Sequence, residues 1–460
     1  MIEKKIKKEL EANLGGKKVF EEKEFLIAYS YDATGNEFLP DLVVFPENEK
    51  DVENVINIAF RHKIPITPRG AGVGYTGGSL PVQGGIALVF TRMNRILSID
   101  MENFIAEVEP GVITYNLQEE VEKKGLFYPP DPASLKTSTI GGNVAENAGG
   151  LRCFKYGVTG NYVLGLEAYL IDGRKIKTGG RVIKNVAGYD IKSLLVGSEG
   201  TLAIITRIIL KLIPLPRYRR LFQIDFNSLK KGAEFINEMI RTNISPSVLE
   251  FMDETSITAV CQFQGIALDP SIRASVLVEI DGNESDVIER ANRFSQLVRN
   301  TSVIDFKIAE TSIEQEKLWS LRRNISPAIS KYKPKKINED IVVPTSKIPD
   351  TVEFINNLAL EFNIKTVLFG HFGDGNIHTN LLVDPENKDE MKHAEIMLEK
   401  IFKYVISVNG SISGEHGIGI SKMPFMKFQF SESEMEVFKN IKKSFDPENL
   451  LNPGKIFELK

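Results

Sequence analysis

The chain has 460 residues, 42% of them apolar and 26% charged, enough for two or three domains with sizeable cores. Fifty-seven Lys and Arg stand against 61 Asp and Glu, and a net charge of −4 gives no electrostatic footprint for nucleic acid. No apolar run reaches the eighteen residues that a membrane-spanning helix needs, residues 1–10 read as a charged amphipathic helix without a secretory apolar core, and Cys153 and Cys261 lack the spacing of a cluster or disulfide framework, which together imply a cytoplasmic protein.

In chain order, a helical pattern from Lys4 to about Phe20 leads to a short buried strand within residues 40–46. A helix over residues 49–62 follows, with Val52, Val55, Ile56 and Ala59 on one face, and then a strand at residues 64–67. That strand runs into Pro68-Arg69-Gly70-Ala71-Gly72-Val73-Gly74-Tyr75-Thr76-Gly77-Gly78-Ser79. Small residues there let successive amides turn toward an anion, as in a phosphate-binding nest. No Gly-Lys-Ser/Thr closes the loop, and no helix follows Gly72-Val73-Gly74, so it is neither a Walker loop nor a Rossmann fingerprint. A second small-residue stretch spans residues 128–150, with Pro130, Asp131, Ser134, Thr139, Gly141, Gly142, Asn143 and Ala148. Two such loops in one domain suggest a long ligand with two phosphates. Gly197-Ser198-Glu199-Gly200-Thr201 precedes an apolar strand through Ile204 and Ile205, and Pro214 with Pro216 marks a domain boundary.

From residue 217 strands and helices alternate in the rhythm of antiparallel α+β units. Strands are predicted near 220–225, 275–281, 303–308 and 366–372, and helices near 229–241, 284–298 and 349–362. The late stretch Gly370-His371-Phe372-Gly373-Asp374-Gly375-Asn376-Ile377-His378 lies between apolar runs, and Asp374-Gly375 is a hairpin-turn signal. A two-residue loop there would pair 371 with 378 directly, with Cβ atoms roughly 4.5–5.5 Å apart. Either histidine alone fits a hydrogen-bonded structural role. Facing each other, with Glu415-His416 in a later glycine-rich cluster, they suggest two imidazoles and a carboxylate around a metal with an open position, and His416 as a base.

These residues carry a resemblance. The Pro68–Ser79 loop, the Pro130–Gly150 stretch, the Gly-His-x-Gly-Asp-Gly-Asn-x-His hairpin, Ser413-Gly414-Glu415-His416-Gly417 and the ending Asn452-Pro453-Gly454-Lys455 resemble, in order, the D-lactate dehydrogenase/glycolate oxidase D-subunit family. These are FAD enzymes of the vanillyl-alcohol oxidase/p-cresol methylhydroxylase superfamily. The resemblance implies an α+β fold: a two-subdomain FAD-binding domain (1–216), a cap domain with an antiparallel sheet (217–420), and a C-terminal segment (421–460) returning to the first domain. It implies that Pro68, Arg69, Gly70, Ala71, Gly72, Val73, Gly74, Thr76, Gly77 and Gly78 hold the pyrophosphate. Pro130, Asp131, Ser134, Thr139, Gly141, Gly142, Asn143 and Ala148 would surround the isoalloxazine and ribityl parts. Gly200, Ile204 and Ile205 would lie on the adenine side, with Asn452 as a terminal contact. Relatives that tether FAD covalently carry Arg-Gly-x-Gly-His; Val73 stands in place of that histidine, which implies a non-covalent FAD.

The same resemblance implies oxidation of a D-2-hydroxy acid, lactate or glycolate, to the 2-oxo acid. Its ligands for zinc, or for manganese or iron, would be His371, His378 and Glu415. His416 would take the hydroxyl proton, and Arg322 in Trp319-Ser-Leu-Arg322-Arg323 would bind the carboxylate, with Ser326 one turn on and Asn380 as a further substrate contact. Arg323 reads as a solvated position. Asn338 stands where relatives acting on the longer diacid carry a lysine, which favours the shorter acids, with Lys335 and Lys336 nearby. With no second redox motif, electrons would leave to an electron-transferring flavoprotein, an iron–sulfur subunit or a quinone, in a protein free to associate peripherally with a membrane. Two other readings fit the motifs: a sister activity such as alkyl-glycerone-phosphate synthesis, and a non-catalytic FAD subunit of a redox complex.

Overall fold

Helix Glu49–His62 illustrates how the N-terminal half is built. The Asn48 side chain caps it by accepting the Asp51 amide at 3.0 Å, and Lys63, in the left-handed region at φ 54°, stops it. Val52, Val55, Ile56 and Ala59 are fully buried in a core with Leu42, Val44, Ile66, Ile86 and Leu88. The computed structural model describes residues 2–459. They form two units: one takes the chain through Gly149, then Val158–Leu215, then everything from Glu415 on, and the other takes Gly150–Gly157 and Pro216–Gly414.

The first unit holds two sheets of four and five strands and a two-stranded ribbon. In the first sheet the order is Val19–Phe20, Leu42–Val44, Ile86–Val89, Ile66–Arg69, the last three parallel. In the second, antiparallel Ile96–Asp100, Ile105–Val108, Ile204–Lys211, Val163–Tyr169 and Lys175–Gly179 lie side by side. Ile204–Lys211 alternates buried and half-buried residues, the period of a strand with one face on the core. The C-terminal segment closes on the first sheet, where the Ile66 amide donates to the Leu450 carbonyl and the Asn452 amide to the Ile66 carbonyl, each at 2.7 Å.

The second unit is one antiparallel sheet of seven strands, in the order Asp305–Ala309, Tyr218–Phe226, Ala274–Gly282, Val248–Asp253, Lys365–Gly370, Asn376–Val383, Lys335–Val342. Helices Glu254–Gln264, Ser312–Arg323 and Ile325–Ile329 cover one face through Val260, Leu318, Ile325 and Ile329 against Met252, Leu277, Phe369 and Leu382. On the opposite face, Phe222 and Phe226 meet Phe294 of Glu284–Arg299 and Phe235 of Leu229–Ile240.

Two expectations need correction. The N-terminal helix is Lys4–Leu14 and does not reach Phe20, because Gly15 at φ 94° turns the chain. The histidine hairpin is not a two-residue turn: strand Lys365–Gly370 pairs with Asn376–Val383 so that His378 stands opposite Phe369, and residues 371–375 form the loop. Phe372 decides this register. It is fully buried and stacked on Phe251 at a centroid distance of 4.3 Å, and burying such a ring contributes about 2–3 kcal/mol. That plug takes the chain out of the ladder after Gly370.

Candidate functional site

In the first unit the two glycine-rich stretches meet. A Cβ on Gly70 would sit 2.3 Å from Thr139 Oγ1, and one on Gly200 would sit 2.6 Å from Pro68 Cγ. Only hydrogen on those α-carbons allows the close approach. Gly72 and Gly77 hold φ of 70° and 82°. The amides of Ala71, Gly72, Val73 and Gly74 donate to no protein acceptor among the described residues, although this stretch is half-buried. Thr139 caps helix Ile140–Glu146 through the Gly142 amide, and Thr76 Oγ1 donates to the His416 carbonyl at 3.0 Å. A half-buried run of undonated amides between glycines fits the diphosphate of a dinucleotide.

Several residues implied as cofactor contacts are themselves parts of this scaffold. Asn452 Nδ2 donates to the Gly78 and Glu199 carbonyls, both at 2.7 Å, so its amide clamps the loop. Asn143 Nδ2 is committed to Thr114 Oγ1 at 2.7 Å, and the Ile204 side chain belongs to the apolar core. Arg69 is buried, donates to the Tyr31 carbonyl at 2.7 Å, and is depressed in pKa by burial, opposed by Asp32. Pro130 presents its carbonyl to Gln118, Asp131 is buried, and Ser134, Gly141, Ala148 and Ile205 are half-buried along the same stretches. Glu199, at φ 50°, accepts the Ile418 and Gly419 amides at 2.8 Å each and so orients the turn after His416; burial raises its pKa against those amides.

In the second unit, His371 and His378 are each 5% exposed, and their rings stand edge to face with centroids 5.1 Å apart. Glu415, the third residue of the expected donor set, is half-buried and opens the last segment of the first unit. Asp340 fixes the approach to Glu415. This fully buried carboxylate, opposite His378 on the neighbouring strand, accepts the Gly414 amide at 2.8 Å. Two imidazoles with one carboxylate would be a donor set that suits zinc and also manganese or iron, with a coordination position left over.

Sequence reasoning missed the residue on which the cap cluster rests. Glu250, fully buried at the centre of strand Val248–Asp253, accepts from His371 Nδ1 through one oxygen and from Arg322 Nε through the other at 2.5 Å. Burial alone would raise its pKa; the charges and hydrogen bonds of His371 and Arg322 outweigh burial and hold it below the ordinary carboxylate value. The signal was present: a glutamate amid Val248, Leu249, Phe251 and Met252 is a charge inside an apolar strand. Arg322 is 8% exposed and lies over the Phe369 ring at 4.7 Å, whereas Arg323 is exposed and pairs with Glu316.

Asn380 and Asn338 face each other across the sheet beside His378 and Asp340. Both carry a buried Oδ1 without a protein partner, and Asn380 Nδ2 reaches only the Val367 carbonyl at 3.4 Å. One turn beyond Arg322, Ser326 Oγ accepts from Lys336 Nζ at 2.8 Å, and burial lowers the pKa of Lys336. His416 lies 5.1 Å from the Tyr75 ring, centroid to centroid.

A dinucleotide-type cradle in the first unit, and two buried histidines with a buried arginine in the second, fit a flavin-dependent oxidoreductase. A family model for FAD linked oxidases, C-terminal domain, matches residues 215–456, and one for an FAD binding domain matches residues 40–179. Glycolate oxidase subunit GlcD of Bacillus subtilis is 41% identical over 458 residues, covering 99% of this chain and 97% of that protein. D-lactate dehydrogenase of Anaerostipes hadrus is 35% identical over 428 residues, covering 91% and 89%. Among solved structures, p-cresol methylhydroxylase with substrate bound matches with a TM-score of 0.82 at 15% identity, over 99% of this chain and 96% of that one. The chain belongs to the FAD-linked oxidase family that includes these D-lactate dehydrogenases and glycolate oxidase subunits, and it has the fold of the vanillyl-alcohol oxidase/p-cresol methylhydroxylase superfamily. Among the described residues no helix is long and apolar enough to cross a membrane.

Proposed function

We propose that the protein oxidises a small D-2-hydroxy acid, D-lactate or glycolate, to the 2-oxo acid, and passes the two electrons to a partner. The observation that carries this reading is the buried His371–His378 pair, with His371 and the buried cation Arg322 on one carboxylate. Residues 1–216 with 421–460 would hold FAD, non-covalently because Val73 offers no nucleophile, and residues 217–420 would take the substrate.

FAD, when bound, would supply the two-electron acceptor, and a divalent ion, zinc before manganese or iron, would supply Lewis acidity. The rest falls to the chain. Arg322, held at Nε by Glu250, has its two terminal nitrogens to meet the substrate carboxylate as a fork. Asn380 Oδ1, a buried acceptor, suits a hydroxyl or an ordered water beside the acid. His416 takes the hydroxyl proton, imidazole being the side chain that changes charge near neutral pH. The relatives named as subunits support a complex, and from a cytoplasmic protein an electron-transferring flavoprotein, an iron–sulfur subunit or a quinone would receive the electrons.

Anaerobic mixing with D-lactate, L-lactate, glycolate and D-2-hydroxyglutarate, following the oxidised flavin band, tests the reading. Bleaching by D-lactate or glycolate, lost on chelation and in His416→Ala, is the expected result. Metal-replete holoprotein that none of these acids bleaches would contradict it.

A further inference from the structure

His371 and Arg322 have different tasks in the proposed reaction, one toward a metal and one toward a carboxylate, yet both lean on one side chain. Glu250 has no exposure, and each of its carboxylate oxygens is taken, one by His371 Nδ1 and one by Arg322 Nε. The strand around it is tied to its neighbours. Phe251 is stacked on Phe372, Asp253 accepts the Leu368 amide at 2.7 Å, and the Phe251–Gly370 pair ties the strand to the one that leads into His371. Arg322 is gripped from its other side by the Phe369 ring, which stands opposite His378 in the ladder. Nε carries the only hydrogen bond of that guanidinium among the described residues, and its terminal nitrogens make none there.

We propose that Glu250 is a positioning residue that fixes the metal-binding histidine and the substrate arginine together. Accepting from Nδ1 commits His371 to the tautomer whose Nε2 lone pair faces outward, and makes that nitrogen a more basic ligand. Accepting from Nε turns the two-nitrogen edge of Arg322 away from the strand, toward an incoming carboxylate. The carboxylate touches neither metal nor substrate. The inference rests on the hydroxy-acid reading of the site, and its test separates the two.

The experiment measures zinc affinity by competition with a chromogenic chelator, without turnover, alongside KM and kcat for D-lactate or glycolate. In Glu250→Gln zinc affinity should fall about 10–100-fold, the usual loss when a histidine ligand's outer partner is removed. KM should rise as well. Arg322→Met should raise KM while zinc affinity stays within about twofold of wild type, since only the arginine arm is lost. Replacing zinc with cobalt should show a shifted visible band in Glu250→Gln and an unshifted one in Arg322→Met. Should Glu250→Gln not fold around its stranded arginine, the double variant Glu250→Gln/Arg322→Met, which buries no unpaired cation, should fold and keep the zinc defect. Wild-type zinc affinity in folded Glu250→Gln, with binding abolished in His378→Ala, would overturn the role of Glu250 alone. Zinc affinity indifferent to His378→Ala would overturn the metal site and this inference with it.

Discussion

The two ends of the proposed reaction are built by opposite means. The cofactor end is made of backbone: Gly70 and Gly200 bring chain against chain, and Ala71 to Gly74 present amides. The substrate end is made of side chains held by buried carboxylates, Glu250 under His371 and Arg322, and Asp340 under Gly414. Backbone cradles need only small residues in sequence, whereas side-chain constellations need supporting charges from distant strands. Damage at one end should therefore spare the other.

The largest expected effect comes from emptying the donor set. Chelation, or Glu415→Gln, should lower kcat by about 10²–10³-fold, since Lewis-acid stabilisation contributes several kcal/mol, while the flavin spectrum stays unchanged. Loss of flavin on chelation would show that the two ends are coupled rather than separate.

The neighbouring arginines sharpen the comparison within one helix. Arg322→Met should raise KM about 10–100-fold, because hydrogen bonds between charged groups contribute about 1.5–3 kcal/mol. Arg323, exposed and paired only with Glu316, should tolerate Met with less than about a twofold change in KM. Equal effects from the two would remove Arg322 from the substrate site.

These differences follow what the sequence made legible. The glycine loops, the late histidines and Glu415-His416 are continuous motifs, so their residues could be named from spacing together with the resemblance those motifs carry. Helices Leu229–Ile240, Glu284–Arg299 and Ile348–Phe362 lie within a residue or two of their periodicity-based positions because their apolar stripes are strong. The hairpin register was misread because Asp374-Gly375 signals a tight turn locally, and burial of Phe372 under Phe251 overrides it. Strands Val248–Asp253 and Lys335–Val342 escaped notice for a related reason. Glu250, Asp253, Glu339 and Asp340 interrupt their apolar pattern, and Glu250 and Asp340 among them hold His371, Arg322 and Gly414.

A smaller effect concerns Asp253, which caps helix Glu254–Gln264 and holds the Leu368 amide. Burial raises its pKa to about 6 against the hydrogen bonds it accepts. A carboxyl raised in the fold contributes stability that is fully present below its unfolded value near 4 and lost as pH rises through 6. The stability advantage of wild type over Asp253→Asn should therefore shrink by about 2–3 kcal/mol between pH 4 and 7. Chemical unfolding at several pH values checks this, and a constant difference would contradict it.

The most direct test is a double dissociation read by elemental analysis and flavin absorbance on the same samples. Gly70→Ala, whose new methyl group meets Thr139 Oγ1, should lose FAD and keep a stoichiometric divalent metal. His378→Ala should lose the metal and keep FAD. Wild type should hold both. Loss of both groups together in either variant, or of neither, would contradict an account in which backbone builds one end and carboxylate-held side chains build the other.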